Sequence, residues 1–438
     1  MNYFTAWGRF VTAGLQAHAK WEKDVSTRIL HSRKRLIILA LLTLPIFIVG
    51  YAFADEISNT LPQMLGSKEA YGPAQYSLMI FGAAIVVGLL AGLITGCIGA
   101  GGGFIIAPAL MSLGVRGIMA VGTDLFHIFA KAIMGATLHG KMGNIAVRVA
   151  AVFVIGSVIG ATIGGMINRT LYAKDPILSD AFITIVYSVM LTGLGAYAMM
   201  DYLKSRKKGG SGDIHGSDME EIGSFPRKLQ SVKIPPMITF DKNVTPGGRR
   251  ISWIFLLMAG VSVGLVAAIM GVGGGFLFFP MFVYGMGVSA TTTVGTDIFQ
   301  IIFTAGYAAI AQYAIYGFIF YTLAMGMLLG SLLGIQIGAM VTKVVPGLTI
   351  RGFYAMAVLA GATNRLFALP GKLGAMEIIP VSSSMGSTLN TIGTVLFFII
   401  IGGFGVWVIG TFIKKLPVLR QGKEEPLVQV MEGAKDIV

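Results

Sequence analysis

A chain of 438 residues in which 55% are hydrophobic and only 12% are charged lies far from the soluble globular norm of roughly 25% charged. The net charge of +13 would suit nucleic acid, yet the basic residues gather at the ends of apolar segments and in the tails, where orientation signals lie. The composition therefore excludes a nucleic-acid protein and predicts a polytopic protein with the lipid bilayer as its solvent. A single cysteine, Cys97, excludes an internal disulfide and cannot by itself make a metal site.

In chain order, residues 1–34 carry Arg9, Lys20, Lys23, Arg28, Arg33 and Lys34. Trp7, Val11, Gly14, His18, Trp21, Val25 and Ile29 recur there at helical spacing, which fits either an interfacial helix or a basic cytoplasmic tail. Residues 35–54 form an extra apolar span, read as an uncleaved anchor because the basic stretch before it is too long and aromatic for a signal peptide. An outer linker with Asp55, Glu56, Lys68 and Glu69 covers 55–75. A first transmembrane repeat, 76–203, offers apolar segments near 76–98, 103–115, 118–139, 145–168 and 179–202. A polar cytoplasmic loop, 204–250, follows, with Lys204-Ser205-Arg206-Lys207-Lys208 at one end and Arg249-Arg250 at the other. The second repeat, 251–369, offers segments near 251–271, 275–288, 292–314, 317–342 and 349–368. A last span at 389–413 leads into a cytoplasmic tail, 414–438, that opens on Lys414-Lys415.

The two repeats are visible as a duplication. Gly99-Ala100-Gly101-Gly102-Gly103-Phe104 returns 172 positions later as Gly271-Val272-Gly273-Gly274-Gly275-Phe276. Pro108 then matches Pro280, Val121-Gly122-Thr123-Asp124 matches Val294-Gly295-Thr296-Asp297, and Gly156-Ser157-Val158-Ile159-Gly160 matches Gly330-Ser331-Leu332-Leu333-Gly334. Small slips in offset are what loop insertions leave in a duplicated fold. Apolar segments broken at corresponding places in two halves point to a transporter's binding site, because backbone that leaves the helix in hydrocarbon must be buried in protein or line a wet cavity.

Parity gives a topology. Basic clusters put the N-terminal tail, the 204–250 loop and the C-terminal tail on the cytoplasmic side, so an even number of crossings separates them. The segment at 103–115 is too short to span about 30 Å of hydrocarbon as a lone helix, so it shares a crossing or re-enters. Counting it and its partner at 275–288 as crossings satisfies the parity rule. The loop holding Lys141 and Arg148 is then inside and its uncharged counterpart, 313–317, outside, which makes the repeats inverted. The fold class expected is all-α, with two inverted repeats, each with a glycine-broken helix, plus an extra span at either end.

Two copies of Gly-x-Gly-Gly-Gly-Phe, three apolar residues, proline and a Thr-polar pair some fifteen residues on resemble the TauE/SafE family of sulfite exporters and related anion permeases. The resemblance covers about residues 76–415 and implies transport of sulfite, sulfate, sulfonates or other organosulfur anions. Where that pattern more often has serine after the threonine, this chain has Asp124 and Asp297.

The glycine runs stand as a site on physical grounds too. They free backbone N–H groups, and helices that start at Phe104 and Phe276 aim their positive ends at one region, which suits an oxyanion. Gly101, Gly102, Gly103, Gly273, Gly274 and Gly275 are therefore the candidate substrate cradle, with Thr123 and Thr296 as hydroxyl donors. The plainer reading of the glycines is close helix packing, and of the threonines, bonds to their own helix. Asp124, His127 and Lys131 share one helix face, and the matching positions are Asp297, Gln300 and Thr304. Ionisable groups inside a span are costly, so Asp124, His127, Lys131 and Asp297, together with the polar Gln300 that matches His127, are assigned to coupling or to pairing between the halves.

No zinc spacing, phosphate loop or nucleophile–base pair occurs, so neither a cofactor, a metal nor an enzymatic activity is expected. The function expected is a secondary transporter of small anions in the inner membrane, sulfite and its relatives first, with proton and sodium coupling both open, along with oligomeric state. The competing classes are a membrane sensor or assembly subunit working through the 204–250 loop, and a cation transporter using the two aspartates.

Overall fold

The computed structural model describes residues 78–98, 102–141, 146–207, 224–241, 248–342 and 344–421. The expected N-terminal tail and interfacial helix, the span at 35–54, the outer linker, the loop segment 208–223 and the tail beyond 421 lie outside the described residues.

The first repeat consists of α1 (Leu78–Ile98), α2 (Gly103–Ser112), α3 (Gly117–Lys141), α4 (Val147–Lys174) and α5 (Pro176–Lys207). After α6 (Ser224–Ser231) and the strands β1 (Met237–Phe240) and β2 (Arg249–Ser252), the second repeat runs through α7 (Trp253–Met270), α8 (Gly275–Pro280), α9 (Ala290–Tyr307), α10 (Tyr321–Val341) and α11 (Gly347–Ala375). The last helix is α12 (Ser383–Gln421). Among the described residues seven helices are long and apolar enough to cross a membrane. The fold is an all-α, multi-pass membrane fold.

Both glycine breaks end a long helix and start a short one. α2 has only 10 residues, about 15 Å or half the hydrocarbon core. α8 stops at Pro280, and the chain continues as a wide π-type turn, Met281–Met286, as expected where proline cannot donate to the carbonyl four residues before it and its ring crowds that carbonyl. The polar 204–250 stretch carries more order than its composition announces. β1 and β2 pair antiparallel, and Phe240 and Ile251 bury themselves against Phe153, Phe278 and Phe282 of the repeats. Asp241 then accepts hydrogen bonds from Ser289 N (2.8 Å) and Ser289 Oγ (2.7 Å), capping the start of α9. Asp180 does the same for α3, accepting from Gly117 N at 2.6 Å.

Glycine spacing dictates how the helices pair. Gly88, Gly92 and Gly96 of α1 lie every four residues, as do Gly330, Gly334 and Gly338 of α10, so each set lines one face. A Cβ added at Gly88, Gly92 or Gly96 would stand 2.1, 2.5 and 2.4 Å from the carbonyl oxygens of Met327, Ser331 and Ile335. The reverse holds for Gly330, at 2.0 Å from Ile85 O, and Gly334, at 2.3 Å from Leu89 O. α4 and α7 repeat the arrangement, with Gly156 and Gly160 against Leu257 O and Val261 O at 2.2 and 2.0 Å. In both pairs the residue numbers rise together, so the partners run parallel. Each pair joins the first helix of one repeat to the fourth of the other.

Equivalent helices pair the opposite way. Phe129 of α3 meets Gly306 of α9, and Gly122 meets Tyr313 in the π-helical continuation of α9, Ala308–Tyr313, so these two run antiparallel. α5 and α11 are antiparallel as well: Asp180 binds Lys372 at 3.2 Å, Gly195 meets Leu359, and Asp201 reaches Arg351 at 3.6 Å.

This packing yields a stability prediction. Gly160→Val forces α4 off the backbone of α7 and costs about 3 kcal/mol or more, whereas Gly193→Ala, where a Cβ meets nothing within 4 Å, is neutral to mildly stabilising. Thermal unfolding of the purified variants in detergent checks both; equal midpoints would refute the backbone-contact account.

Candidate functional site

The two breaks come together. A Cβ added at Gly103 would lie 2.9 Å from Val272 Cα, and one at Gly271 would lie 2.7 Å from Val121 Cα. Ile128 of α3 touches both Gly103 and Gly273, and its repeat-two counterpart Ile301 touches Gly273 and Gly275. Of the candidate cradle, Gly103, Gly273 and Gly275 thus meet around Ile128 and Ile301, whereas Gly102 packs against Ala91 and Thr95 of α1 and Gly274 against Val263 and Ala267 of α7; Gly101 lies outside the described residues.

The breaks are built differently. Gly271, Gly273 and Gly274 hold φ of +81°, +65° and +86°, which side chains with a Cβ avoid, so the second break needs glycine for its backbone shape. Gly102 sits at φ −66° and needs glycine for space, since a Cβ would stand 2.7 Å from Ala91 O. Its N–H is already used, donating to Thr95 Oγ1 at 2.8 Å. The carbonyls that end α7 are held by side chains: Tyr313 Oη donates to Ala268 O at 2.5 Å, Asn168 Nδ2 to Ile269 O at 3.1 Å, and Tyr187 Oη to Met270 O.

Each break faces the aspartate of its own repeat. A Cβ at Gly103 would be 3.3 Å from Asp124 Oδ2, and one at Gly275 would be 2.9 Å from Asp297 Oδ2. From each carboxylate a polar chain crosses to the other repeat. Asp124 Oδ1 lies 3.6 Å from His127 Nδ1, and His127 Nε2 is hydrogen-bonded to Ser331 Oγ of α10 at 2.9 Å. Gln300 Nε2 donates to Asp297 Oδ1 at 2.8 Å, Thr304 Oγ1 donates to Gln300 Oε1 at 2.7 Å, and Ser157 Oγ of α4 shares a 2.7 Å bond with Thr304. Both chains end on the serine of a Gly-Ser-x-x-Gly motif. Those serines were legible as a duplicated position, but their neighbouring glycines pointed only to packing.

Charge breaks the symmetry between the chains. Both oxygens of Asp124, Nδ1 of His127 and Nζ of Lys131 are buried and make no hydrogen bond among the described residues. An unsatisfied buried polar group costs about 1–3 kcal/mol, more if charged, so this face of α3 is short of partners. The Asp297 chain is neutral beyond its carboxylate and holds its own bonds. Thr123 and Thr296 take a matched pair of structural roles: Thr123 Oγ1 accepts from Phe320 N (2.9 Å) at the start of α10, and Thr296 Oγ1 accepts from Ala146 N (3.1 Å) at the start of α4. Each hydroxyl keeps its hydrogen for a further acceptor.

Sequence reading missed Arg365, which is only 1% exposed and sits against the far end of α2. It donates through Nη2 to Pro108 O at 3.2 Å and Ser112 Oγ at 2.8 Å. A single arginine within the apolar stretch of α11 carries no periodic signal, so only the fold reveals that it points inward.

A profile of the family described as sulfite exporter TauE/SafE matches residues 84–365, which takes in both breaks and both aspartates. The chain is 24% identical over 261 residues to a probable membrane transporter protein, YjnA, of Bacillus subtilis, covering 58% of this chain and 87% of the relative. It is 23% identical over 304 residues to a probable membrane transporter protein of Haemophilus influenzae, covering 64% and 96%. A shorter match, 25% over 130 residues, joins it to the sulfite exporter TauE/SafE family protein 1 of Arabidopsis thaliana, covering 28% and 29%. No solved structure matches the chain. With the family profile covering well over half of its length and the duplicated breaks at its centre, this chain belongs to the TauE/SafE family and is a multi-pass membrane transporter.

Proposed function

We propose that this transporter moves small anions, sulfite and related sulfur oxyanions or sulfonates first, across the cell membrane by alternating access between two inverted repeats. The observation that carries the reading is the meeting of the two glycine breaks, each beside an aspartate of its own repeat. Inversion is supported by the antiparallel packing of α3 with α9 and of α5 with α11, because equivalent helices related by an axis in the membrane plane must run in opposite senses. The anion is held between 101–103 and 273–275, with the remaining hydroxyl hydrogens of Thr123 and Thr296 nearby. Lys131 or His127 contacts the anion, and Asp124 and Asp297 carry the coupled proton, with Gln300 steadying Asp297. The buried, partner-poor face of Asp124, His127 and Lys131 supports this division of labour.

Counterflow of labelled sulfite, sulfate and a sulfonate in proteoliposomes tests the substrate class. Flux of none of the three would overturn it. Gly275→Ala is the sharper probe of the site, because Gly275 has an ordinary φ and its added methyl meets the Asp297 carboxylate 2.9 Å away. We expect at least about a tenfold fall in flux with unfolding midpoints close to wild type; normal flux would remove the breaks from the pathway. Asp124→Asn and Asp297→Asn are each expected to flatten the pH dependence of flux while keeping the order of preference among the three anions. Unchanged profiles in both variants would detach the aspartates from coupling.

Topology has its own test. Cys97 is buried, so a Cys97→Ala background is mild, and Val147 and Tyr316 are 58% and 43% exposed. Inverted repeats place Val147→Cys on the cytoplasmic face and Tyr316→Cys on the outer one. Labelling of both by an impermeant thiol reagent from the same side would refute inversion.

A further inference from the structure

We propose that Arg365, Asn364 and Ser112 form a second oxyanion-binding subsite, at the end of α2 away from the glycine breaks, which takes the transported anion before or after it occupies the breaks. The proposal rests on the reading of the protein as an anion transporter. Arg365 is almost fully buried, yet no carboxylate lies within 4.0 Å of it among the described residues. Its Nε donates to Asn364 Oδ1 at 2.8 Å and its Nη2 to Pro108 O and Ser112 Oγ, all neutral acceptors. The nearby acid Asp180 is already occupied by Lys372 Nζ and Gly117 N, at 3.2 and 2.6 Å. A buried cation held only by neutral oxygens lacks its counter-charge, and such a charge inside a membrane protein costs several kcal/mol unless compensated.

Asn364 supplies the second observation. Its Oδ1 accepts from Arg365 and from Ser112 Oγ (3.1 Å), while Nδ2 is buried without a partner. Turning the amide over would set its NH₂ against the guanidinium, so the orientation is forced. The cluster therefore presents a guanidinium and an unused amide N–H pair, both of them donors, and an acceptor-rich anion is what completes it. A purely structural role, tying α11 to the last carbonyls of α2, accounts for the bond to Pro108 O but not for the unused amide. Position fits as well. Leu113, next along from Ser112, is 49% exposed, so the cluster lies just beneath one end of the bundle. Arg116, Arg169 and Lys372 gather at that same end through Tyr172, Gln312 and Asp180.

Asn364→Asp decides the matter with little risk to folding. The change is isosteric and places the missing counter-charge beside Arg365, so the purified full chain is expected to unfold at or above the wild-type midpoint without anion. Its half-saturating sulfite concentration, from flux in proteoliposomes and from sulfite-dependent thermal shift, is expected to rise at least about tenfold. Arg365→Met is expected to need at least about tenfold more sulfite for half of the thermal shift, and Arg365→Lys to need an intermediate concentration. If Asn364→Asp saturates at the wild-type concentration, or merely loses stability with saturation unchanged, the subsite is overturned while the transporter reading stands. Wild-type protein that carries no sulfite, sulfate or sulfonate overturns the reading itself.

Discussion

Backbone-to-backbone contact between helices of different repeats is the constraint on which everything else depends. Lipid tails are as apolar as leucine, so helices inside a bilayer gain little from hiding apolar surface and must gain from close packing instead. The glycines of α1, α4, α7 and α10 let carbonyl oxygens approach where a methyl group would sit, roughly 2.0–2.5 Å from the missing Cβ. Because each tight pair takes one helix from each repeat, neither repeat can close its own core. The centre that results is shared by construction, and both glycine breaks have to end in it.

The same interlocking explains why the polar chains cross. A side chain on α3 faces α10 and one on α9 faces α4, so the serine that each Gly-Ser-x-x-Gly motif presents becomes the natural terminus for a chain starting at an aspartate. The two chains then diverge in chemistry. Repeat one carries carboxylate, imidazole and ammonium with unfilled hydrogen-bonding capacity, and repeat two carries carboxylate, amide and hydroxyl with that capacity largely filled. Duplicated halves of this kind keep one scaffold while concentrating titratable groups on one side. Thr123 and Thr296 remained matched because both secure the start of a helix in the opposite repeat, a structural duty that the symmetry demands twice.

The starts of α3 and α9 show a symmetric need met by unrelated parts. Asp180, from a helix of the same repeat, caps α3, while Asp241, from the connecting segment between repeats, caps α9. That connecting segment also donates from Gln230 Nε2 to Met286 O (2.7 Å) and from Arg249 Nη1 to Gly287 O (2.6 Å). The turn after α8 is thereby braced from outside the bundle, compensating for the π-type turn that Pro280 imposes.

By itself the sequence determined the membrane class, the duplicated motifs, the order of the long apolar helices among the described residues, and the two breaks with their flanking aspartates. Each of these is a local property: mean hydropathy over a segment, glycine where helix propensity fails, one motif repeated at a near-constant offset. The residues that sequence reading passed over depend instead on which faces meet. Ser157 and Ser331 sit in glycine motifs that mark packing, and nothing in one dimension says that a histidine and a threonine of the other repeat will find them. Arg365 reads as a stray basic residue until α11 is seen to turn it against the end of α2. The connecting segment looked merely polar because its two four-residue strands are too short for alternation to register, and they gain their order from Phe153, Phe278 and Phe282 of the repeats. Tertiary structure decided these points because a buried polar atom acquires its role from the partner that the fold brings to it, and that partner lies as far as 257 residues away along the chain.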